Sequence, residues 1–314
     1  MREISNVILC GLGAIGTIYA DLLQNCEGVD FRVLVDEYRL ERYTENPIEY
    51  NGKPLNPTYV LPSETNFKAD LVIISTKMPG LSDAICKLKN FVHENTIILS
   101  LLNGVESEKI IAEFYGRERL LYSYFIGHSS VRVGNKVTHD GLNTIVFGSD
   151  CPNDEENVRV LKGFFDRTGI NYEIPKDIVH SLWLKFMLNV CANPTTALLR
   201  MNFGEMLRNK RFMELSVKIM KEVQAVAKAE GVNNTEIMVD ETLASLKNMC
   251  PEGKTSMLQD VESGKNTEID MFAGTVVRLG KKYGISTPYC EFLLEMFGII
   301  HENQNKKLGK MITK

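Results

Sequence analysis

The stretch Asn6-Val7-Ile8-Leu9-Cys10-Gly11-Leu12-Gly13-Ala14-Ile15-Gly16 decides the fold of this chain. Its first five residues form a short apolar run, which predicts a buried parallel strand. The glycine spacing follows at once, and residues 17–23 then continue as a predicted helix. A strand, a GxGxxG turn and a helix in this order are typical of the first unit of a doubly wound α/β sheet.

The three glycines of this turn predict a dinucleotide site. Gly11 would permit the tight turn, Gly13 the close approach of a pyrophosphate, and Gly16 the packing of helix on strand. The helix N-terminus would offer N–H groups to the phosphates. A glycine-rich turn without a ligand is the alternative. In this context we favour cofactor binding by Gly11, Leu12, Gly13, Ala14, Ile15 and Gly16.

An acidic residue ends the second predicted strand. Residues 31–35 are apolar apart from Arg32, and Asp36 follows them. An acid here accepts hydrogen bonds from the adenosine ribose and repels a 2′-phosphate, which favours NADH over NADPH. Arg39 and Arg42 lie just beyond and could neutralise such a phosphate. The alternative role of Asp36 is to cap the next helix.

Polar residues also follow the next two buried strands. Residues 69–75 lead to Thr76-Lys77, and residues 96–102 lead to Asn103-Gly104. Ligands of doubly wound sheets bind beyond the carboxyl ends of the strands. We therefore expect Lys77 and Asn103 to face the nicotinamide half of the cofactor.

The rest of the first half predicts a domain boundary at Pro175. Short strands and turns over residues 120–147 are expected to extend the sheet in antiparallel fashion, and Ser129 would approach the cofactor there. A helix over 153–169 and a last strand over 170–174 follow. Since 314 residues exceed the comfortable size of one core, we predict two domains. Residues 1–174 would form a Rossmann-like α/β domain with a doubly wound sheet, and residues 175–314 an all-α domain.

The helix predicted from about residue 177 carries an unusual polar stripe. Its central part, residues 182–196, reads LWLKFMLNVCANPTT. At about 100° per residue, Lys185, Asn189 and Asn193 fall within an arc of about 80°. The other faces are apolar, so we expect the helix to be buried nearly all round and to kink or pause at Pro194. A surface stripe on an amphipathic helix is the alternative; a polar pocket wall is the interpretation we favour.

Helical periodicity continues through the second domain. It predicts helices from about residue 212 to before Gly231, over 235–250, and from Thr267-Glu268 to before Gly284. Two polar segments accompany them, TSMLQD at 255–260 and NTEID at 266–270.

Composition excludes several classes of function. A net charge of -4 gives no reason to expect nucleic acid or an anionic membrane as partner. No apolar run approaches the ~20 residues of a membrane span, and the early first strand leaves no room for a secretory signal. Seven scattered cysteines without a CxxC pair are typical of reduced thiols in the cytoplasm, without a metal site. The apolar helices of the second domain would suit a homodimer.

Taken together, these motifs resemble the ketopantoate reductase (2-dehydropantoate 2-reductase) family. The resemblance spans nearly the whole chain and rests on GLGAIG, Lys77, Asn103-Gly104, LWLKFMLNVCANPTTAL, and TSMLQD followed by NTEID. It implies a Rossmann domain and a helical domain with the active site between them. It also implies reduction of 2-dehydropantoate, a 2-oxo acid, to (R)-pantoate by NADPH in pantothenate and coenzyme A synthesis.

The resemblance also implies roles for individual residues. Lys185 would be the proton donor, and Asn103, Asn189, Asn193 and Ser256 would surround the substrate. Lys77 and Glu268 would lie beside cofactor and substrate; a first-turn carboxylate favoured by the helix dipole is the alternative for Glu268. These roles suit the chemistry, because hydride attack on a ketone leaves an alkoxide that must be protonated and stabilised.

The sequence departs from the family pattern at two positions. NADPH-using members typically carry an arginine where this chain has Asp36, so NADH and NADPH both stay open as cofactor. The family also has an asparagine near the start of the second helix of the second domain. Here the matching position is Phe203, with Asn202 beside it, so that contact is not carried over. Two other functions also stay open: a reductase of another 2-oxo acid or an imine with the same lysine, and a non-enzymatic dinucleotide sensor.

Overall fold

The computed structural model describes residues 2–127, 130–139 and 141–312, with side chains up to residue 304. Contacts divide the chain into two compact units, Met1–Val179 and His180–Lys314. The first unit is built on a parallel-rich sheet with helices, and the second is helical, which confirms the predicted fold class. The boundary that the sequence predicts after residue 174 stays a prediction.

The first unit contains strands and helices in alternation. Its strands are β1 Asn6–Cys10, β2 Asp30–Leu34, β3 Glu49–Tyr50, β4 Lys53–Pro54, β5 Thr58–Val60, β6 Leu71–Ile74, β7 Ile97–Ser100, β8 Leu120–Gly127, β9 Ser130–Val133, β10 Lys136–His139, β11 Asn143–Gly148 and β12 Tyr172–Glu173. Its helices are α1 Ala14–Leu23, α2 Glu37–Glu45, α3 Leu81–Lys87, α4 Ser107–Tyr115 and α5 Glu155–Thr168.

The main sheet has eight strands in the order β12-β11-β8-β7-β6-β1-β2-β5. β1 pairs in parallel with β2 and β6, and β7 in parallel with β6 and β8. β6 and β7 are buried along their whole length, since two hydrophobic clusters cover the two faces of the sheet. Continuous apolar strands are what such double burial requires. The residues that follow β2, β1, β6 and β7 therefore line up along one side of the sheet, here called the carboxyl edge.

The segment 120–147 is divided between two sheets. β11 pairs antiparallel with β8 and so extends the main sheet as predicted. β9 and β10 instead join a separate four-stranded sheet in the order β4-β3-β10-β9, and the predicted extension is wrong for residues 130–139. Alternating residues predict that a strand forms but not its partner. Here β10 pairs with β3, which lies much earlier in the chain.

The remainder of the chain is helical in the described residues. The helices are α6 Ile178–Leu199, α7 Phe203–Arg208, α8 Lys210–Ala229, α9 Met238–Lys247, α10 Ser256–Glu262, α11 Thr275–Tyr283 and α12 Pro288–Ile312. A π-helical turn, Asp270–Gly274, leads into α11. None of the helices in these ranges has the length and apolar character needed to cross a membrane.

Helix α6 continues through Pro194 to Leu199, so a pause there, one of the two predicted outcomes, is wrong. The other, a kink at Pro194, stays a prediction. A proline inside a helix costs about 3 kcal/mol. Trp183, Phe186 and Met187 of α6 are 5% exposed or less, and burying each contributes roughly 1.5–3 kcal/mol. Tertiary packing therefore outweighs the lost backbone hydrogen bond.

Candidate active site

Two glycines of the turn after β1 are required by the fold itself. Gly11 has φ +107°, and a Cβ there would lie 2.9 Å from the Ser75 carbonyl group. A Cβ on Gly16 would lie 1.9 Å from the Gly11 carbonyl O. The Ser75 hydroxyl donates to that same oxygen at 2.7 Å. The turn is thus packed directly on the loop that follows β6, and neither position has room for a side chain.

Gly13 differs from Gly11 and Gly16, because the fold itself leaves room for a side chain at this position. Its φ is -77°, and a Cβ would meet only the Ser75 carbonyl O, at an ordinary 3.7 Å. It is the N-cap of α1, and no side chain caps that helix end. The hydroxyl O of Thr76, in the neighbouring loop, is buried without a hydrogen-bond partner in the structure. Open space at Gly13, uncapped helix N–H groups and an unsatisfied hydroxyl together fit a dinucleotide phosphate.

Lys77 and Asn103 occupy matching positions in adjacent loops of the carboxyl edge. Ile74, the last residue of β6, pairs in register with Ser100, the last of β7. Lys77 is exposed and Asn103 half-buried. The structure thus puts both where the strand pattern predicted, and their contacts with cofactor and substrate stay predictions. The sequence predicted no role for Thr76, because a threonine after a strand has no distinctive pattern.

Asp36 caps α2 and is held by two cations. Its carboxylate accepts a hydrogen bond from the Arg39 N–H at 2.9 Å and forms ion pairs with the Arg39 guanidinium and with Lys87 Nζ, the latter at 3.1 Å. Burial works to raise the pKa of Asp36, but the Arg39 N–H and the Lys87 ammonium outweigh it and hold the pKa below its ordinary value. The N-cap role left open by the sequence is present. Ribose binding by the same carboxylate stays a prediction.

Lys87 joins this cluster from α3 and was not predicted. It also bonds to Asp83, one turn earlier on the same helix, at 2.6 Å. A lysine at the end of a helix is ordinary in sequence. Only the packing of α3 on the sheet, in the hydrophobic cluster that joins Leu81 to Cys10 and Leu34, brings its ammonium to Asp36.

Ser129 lies outside the described residues, so its predicted contact with the cofactor stays untested. The described strand that follows it does contact the glycine turn. Ser130 and Arg132 of β9 both donate hydrogen bonds to carbonyl groups of that turn. The sequence carried no signal for these contacts, because they join residues more than a hundred positions apart.

The predicted polar stripe is present on α6. Lys185 and Asn189 are half-buried, and Asn193 is 5% exposed. The expectation of burial nearly all round is too strong on this side of the helix, since Leu184 and Leu188 are also only half-buried. The partial exposure leaves the lysine and the amide accessible to a small ligand.

Asn193 and Ser256, both predicted to bind substrate, lie together. The Asn193 side-chain amide donates to the Ser256 hydroxyl O at 3.4 Å. A second pair holds the same two segments: the hydroxyls of Thr196 and Thr255 are 2.8 Å apart and buried. Thr255 also caps α10 by accepting from the Leu258 N–H. The exposed Ser256 hydroxyl is therefore fixed beside the stripe by buried neighbours.

Glu268 is half-buried and lies just before the π-helical turn Asp270–Gly274. The preceding Thr267 is anchored to α12, because its backbone N–H donates to His301 Nε2 at 3.1 Å. Burial lowers the pKa of His301, and the carboxylate of Asp270 opposes this only in part. π-turns are frequent at functional sites, which suits the role predicted for Glu268.

Asn202 caps α7 in a capping box with Glu205, so its side-chain oxygen has a structural use.

Within the described ranges, no group of three or more His, Cys, Asp and Glu side chains could hold a metal ion.

Both parts of the chain match one protein family. Residues 7–150 match the family described as ketopantoate reductase PanE/ApbA. Residues 177–301 match ketopantoate reductase PanE/ApbA C terminal.

Similar proteins agree with these matches. A 2-dehydropantoate 2-reductase of Aquifex aeolicus is 30% identical over 295 residues, which is 92% of this chain and 94% of that protein. D-mandelate dehydrogenase, solved with NADH and anilino(oxo)acetate, has a TM-score of 0.84 at 23% identity over 96% of this chain and 99% of its own. A dimeric ketopantoate reductase from Staphylococcus aureus has a TM-score of 0.73 at 22% identity, covering 95% and 99%. At these identities the two structures show the fold alone.

Proposed function

Since the chain belongs to the ketopantoate reductase family, we propose that it reduces 2-dehydropantoate to (R)-pantoate with a nicotinamide cofactor, a step in pantothenate and coenzyme A synthesis. The observation that carries the proposal is the contact between Asn193 and Ser256, on a helix that also bears Lys185 and Asn189. A regulatory dinucleotide-binding protein would need the glycine turn but not this set of polar side chains.

The first unit would hold the cofactor. N–H groups at the N-terminus of α1 would bind its diphosphate, and Gly13 would leave room for it. The buried Thr76 hydroxyl would form a hydrogen bond to the diphosphate. Lys77 and Asn103 would line the nicotinamide end of the site. When bound, the nicotinamide supplies the hydride that reduces the ketone.

Residues of the second unit would bind the keto acid and supply the proton. Negative charge develops on the ketone oxygen as the carbon–hydrogen bond forms, and the Lys185 ammonium would stabilise that charge and donate a proton to it. Asn189 and Asn193 can donate hydrogen bonds without adding charge. The Ser256 hydroxyl would donate to the substrate carboxylate, and Glu268 would orient a hydroxyl or Lys185.

A second function stays open, reduction of a different 2-oxo acid. The fold shared with D-mandelate dehydrogenase and the acid at Asp36, which favours NADH, both support it. Steady-state rates with a panel of 2-oxo acids and each cofactor test the choice. We expect kcat/KM to be highest for 2-dehydropantoate. A higher value for the aromatic 2-oxo acid that corresponds to mandelate would select the second function, and no oxidation of NADH or NADPH with any of them would reject both.

We propose that Asp36 sets the cofactor preference toward NADH. Asp36→Asn keeps the helix cap, because asparagine caps as well as aspartate, but it removes the charge that repels a 2′-phosphate. It also frees Arg39 to bind that phosphate, while Lys87 keeps its ion pair with Asp83 at 2.6 Å. A hydrogen bond to a charged group contributes about 1.5–3 kcal/mol, so the NADPH/NADH ratio of kcat/KM should rise about 10- to 100-fold.

The matched control for this change is Asp30→Asn. Asp30 is the first residue of β2, the strand that precedes Asp36. It is also paired with an arginine, Arg32 at 2.9 Å, but it lies at the opposite end of the strand. We expect no change of the cofactor ratio in this control. An unchanged ratio in Asp36→Asn would show that Asp36 does not face the ribose.

The remaining proposals concern partners and location. A small 2-oxo acid is the proposed ligand besides the cofactor. A homodimer, the absence of a nucleic-acid partner and a cytoplasmic location stay predictions from the sequence.

A further inference from the structure

Two side chains of β9 reach the glycine turn from the separate sheet. The Ser130 hydroxyl donates to the Ala14 carbonyl O at 3.1 Å, and the Arg132 guanidinium donates to the Leu12 carbonyl O. The Arg132 Nε–H also donates to the Gly134 carbonyl O at 3.0 Å, which ties the guanidinium to the turn after β9. β9 and β10 both lie against α1. Two carbonyls of the turn are thus held from outside it.

Holding these carbonyls also fixes the N–H groups of the same peptide units. The described chain contains no cis peptide bond, and in a planar trans peptide the C=O and N–H point in opposite directions. The anchored carbonyl of Leu12 therefore sets the direction of the Gly13 N–H. In the same way, the anchored Ala14 carbonyl sets the Ile15 N–H in the first turn of α1. Backbone N–H groups of this kind hold phosphate oxygens at glycine turns.

We propose that Ser130 and Arg132 are positioning residues that preset the glycine turn for the cofactor diphosphate. The inference rests on the proposed cofactor site. A turn ordered beforehand loses less conformational entropy when the ligand binds. The guanidinium also adds a fixed positive charge beside the anionic ligand. Neither residue takes part in the chemical step, so both should affect cofactor affinity rather than turnover.

Arg132→Leu tests the proposal by direct binding. The Kd for NADH and for NADPH is measured by fluorescence titration without keto acid, and that for ADP by competition. Loss of a charged anchor and of the ordered turn should raise all three Kd values at least about tenfold, while kcat at saturating cofactor stays within about twofold. Arg132→Lys should recover most of the affinity, because an ammonium can also donate to the Leu12 carbonyl.

Two further variants separate positioning from general charge and from folding. Lys136→Leu removes a cation from β10, where it is paired with Glu49 at 3.6 Å, and should leave all Kd values unchanged. Ser130→Ala should raise the Kd about threefold, as loss of one neutral hydrogen bond predicts. If Arg132→Leu does not fold, this variant tests whether the side chains of β9 position the glycine turn.

Several outcomes would overturn the inference. They are unchanged binding in Arg132→Leu, unchanged binding in Ser130→Ala when Arg132→Leu does not fold, or an equal loss in Lys136→Leu. Wild-type protein that binds cofactor but reduces no keto acid would contradict the proposed function and leave this test intact. Wild-type protein that binds neither NADH nor NADPH would overturn both.

Discussion

Lys185→Met is expected to lower kcat for 2-dehydropantoate about 100- to 10,000-fold, the contribution that general acid catalysis typically makes. Methionine keeps an unbranched side chain of similar length, so packing beside the buried Phe186 and Trp183 of α6 should survive. It can neither donate a proton to the developing alkoxide nor stabilise its charge. The measurement is steady-state kinetics together with cofactor titration, and the Kd of NADH should stay within about twofold because only catalysis is removed.

Two companion variants make this result specific. Lys185→Arg keeps the charge but cannot release a proton near neutral pH, so it should also lose most of its turnover if proton donation is the main role. Lys221→Ala removes an exposed lysine of α8 and should leave kcat unchanged. Turnover in Lys185→Met near the wild-type value would show that the lysine is not the proton donor. Cofactor binding without turnover in this variant would in turn contradict a purely regulatory dinucleotide sensor.

Gly13→Ala is expected to weaken cofactor binding, whereas Gly16→Ala is expected to lower the stability of the fold. The new methyl of Gly13→Ala meets only the Ser75 carbonyl O at 3.7 Å, so the fold should keep its stability. The methyl would occupy the space that the proposed diphosphate needs, and the Kd of NADH should rise at least about tenfold. In Gly16→Ala the Cβ would lie 1.9 Å from the Gly11 carbonyl O. Helix α1 must then move off β1, and the free energy of unfolding should fall by about 1–3 kcal/mol.

Urea unfolding and NADH titration measure the two effects separately. Gly163→Ala is the matched control, since it lies inside α5 and a new Cβ would meet no atom within 4 Å beyond its chain neighbours and its own helix backbone. That change should raise the free energy of unfolding by up to about 1 kcal/mol, the difference in helix propensity, and leave binding unchanged. Full cofactor affinity in Gly13→Ala would mean that the diphosphate does not approach this glycine.

Much of the fold could be predicted because its signals are local. The apolar runs of β1, β6 and β7 each stand alone in the sequence, and a strand buried on both faces has to be continuous and apolar. The glycine spacing predicted a helix directly after the turn, although α1 begins at Ala14 and not at residue 17. Helix α6 was predicted as well, but the expected pause at Pro194 was wrong. The penalty of Pro194 is local, whereas the burial that overcomes it comes from the whole unit.

The part of the candidate site that lies on one continuous segment could be predicted from the sequence. Lys185, Asn189 and Asn193 could be placed on one face of a helix from periodicity alone. Ser256 and Glu268 entered only through the family resemblance, since a serine or a glutamate in isolation has no distinctive pattern. The sequence also left Asp36 with two alternative roles, and the structure contains the capping one.

By itself, then, the sequence determined the fold class, the glycine turn after β1 and the polar stripe on α6. Each of these follows from residues that lie close together in the chain, where helix and strand periodicity applies. Only the tertiary structure decided which distant side chains meet them: Lys87 at Asp36, Arg132 at Leu12, and Ser256 at Asn193. The partners in these contacts are 51, 120 and 63 positions apart. Such contacts depend on how sheets and helices pack, and no local pattern in the chain specifies them.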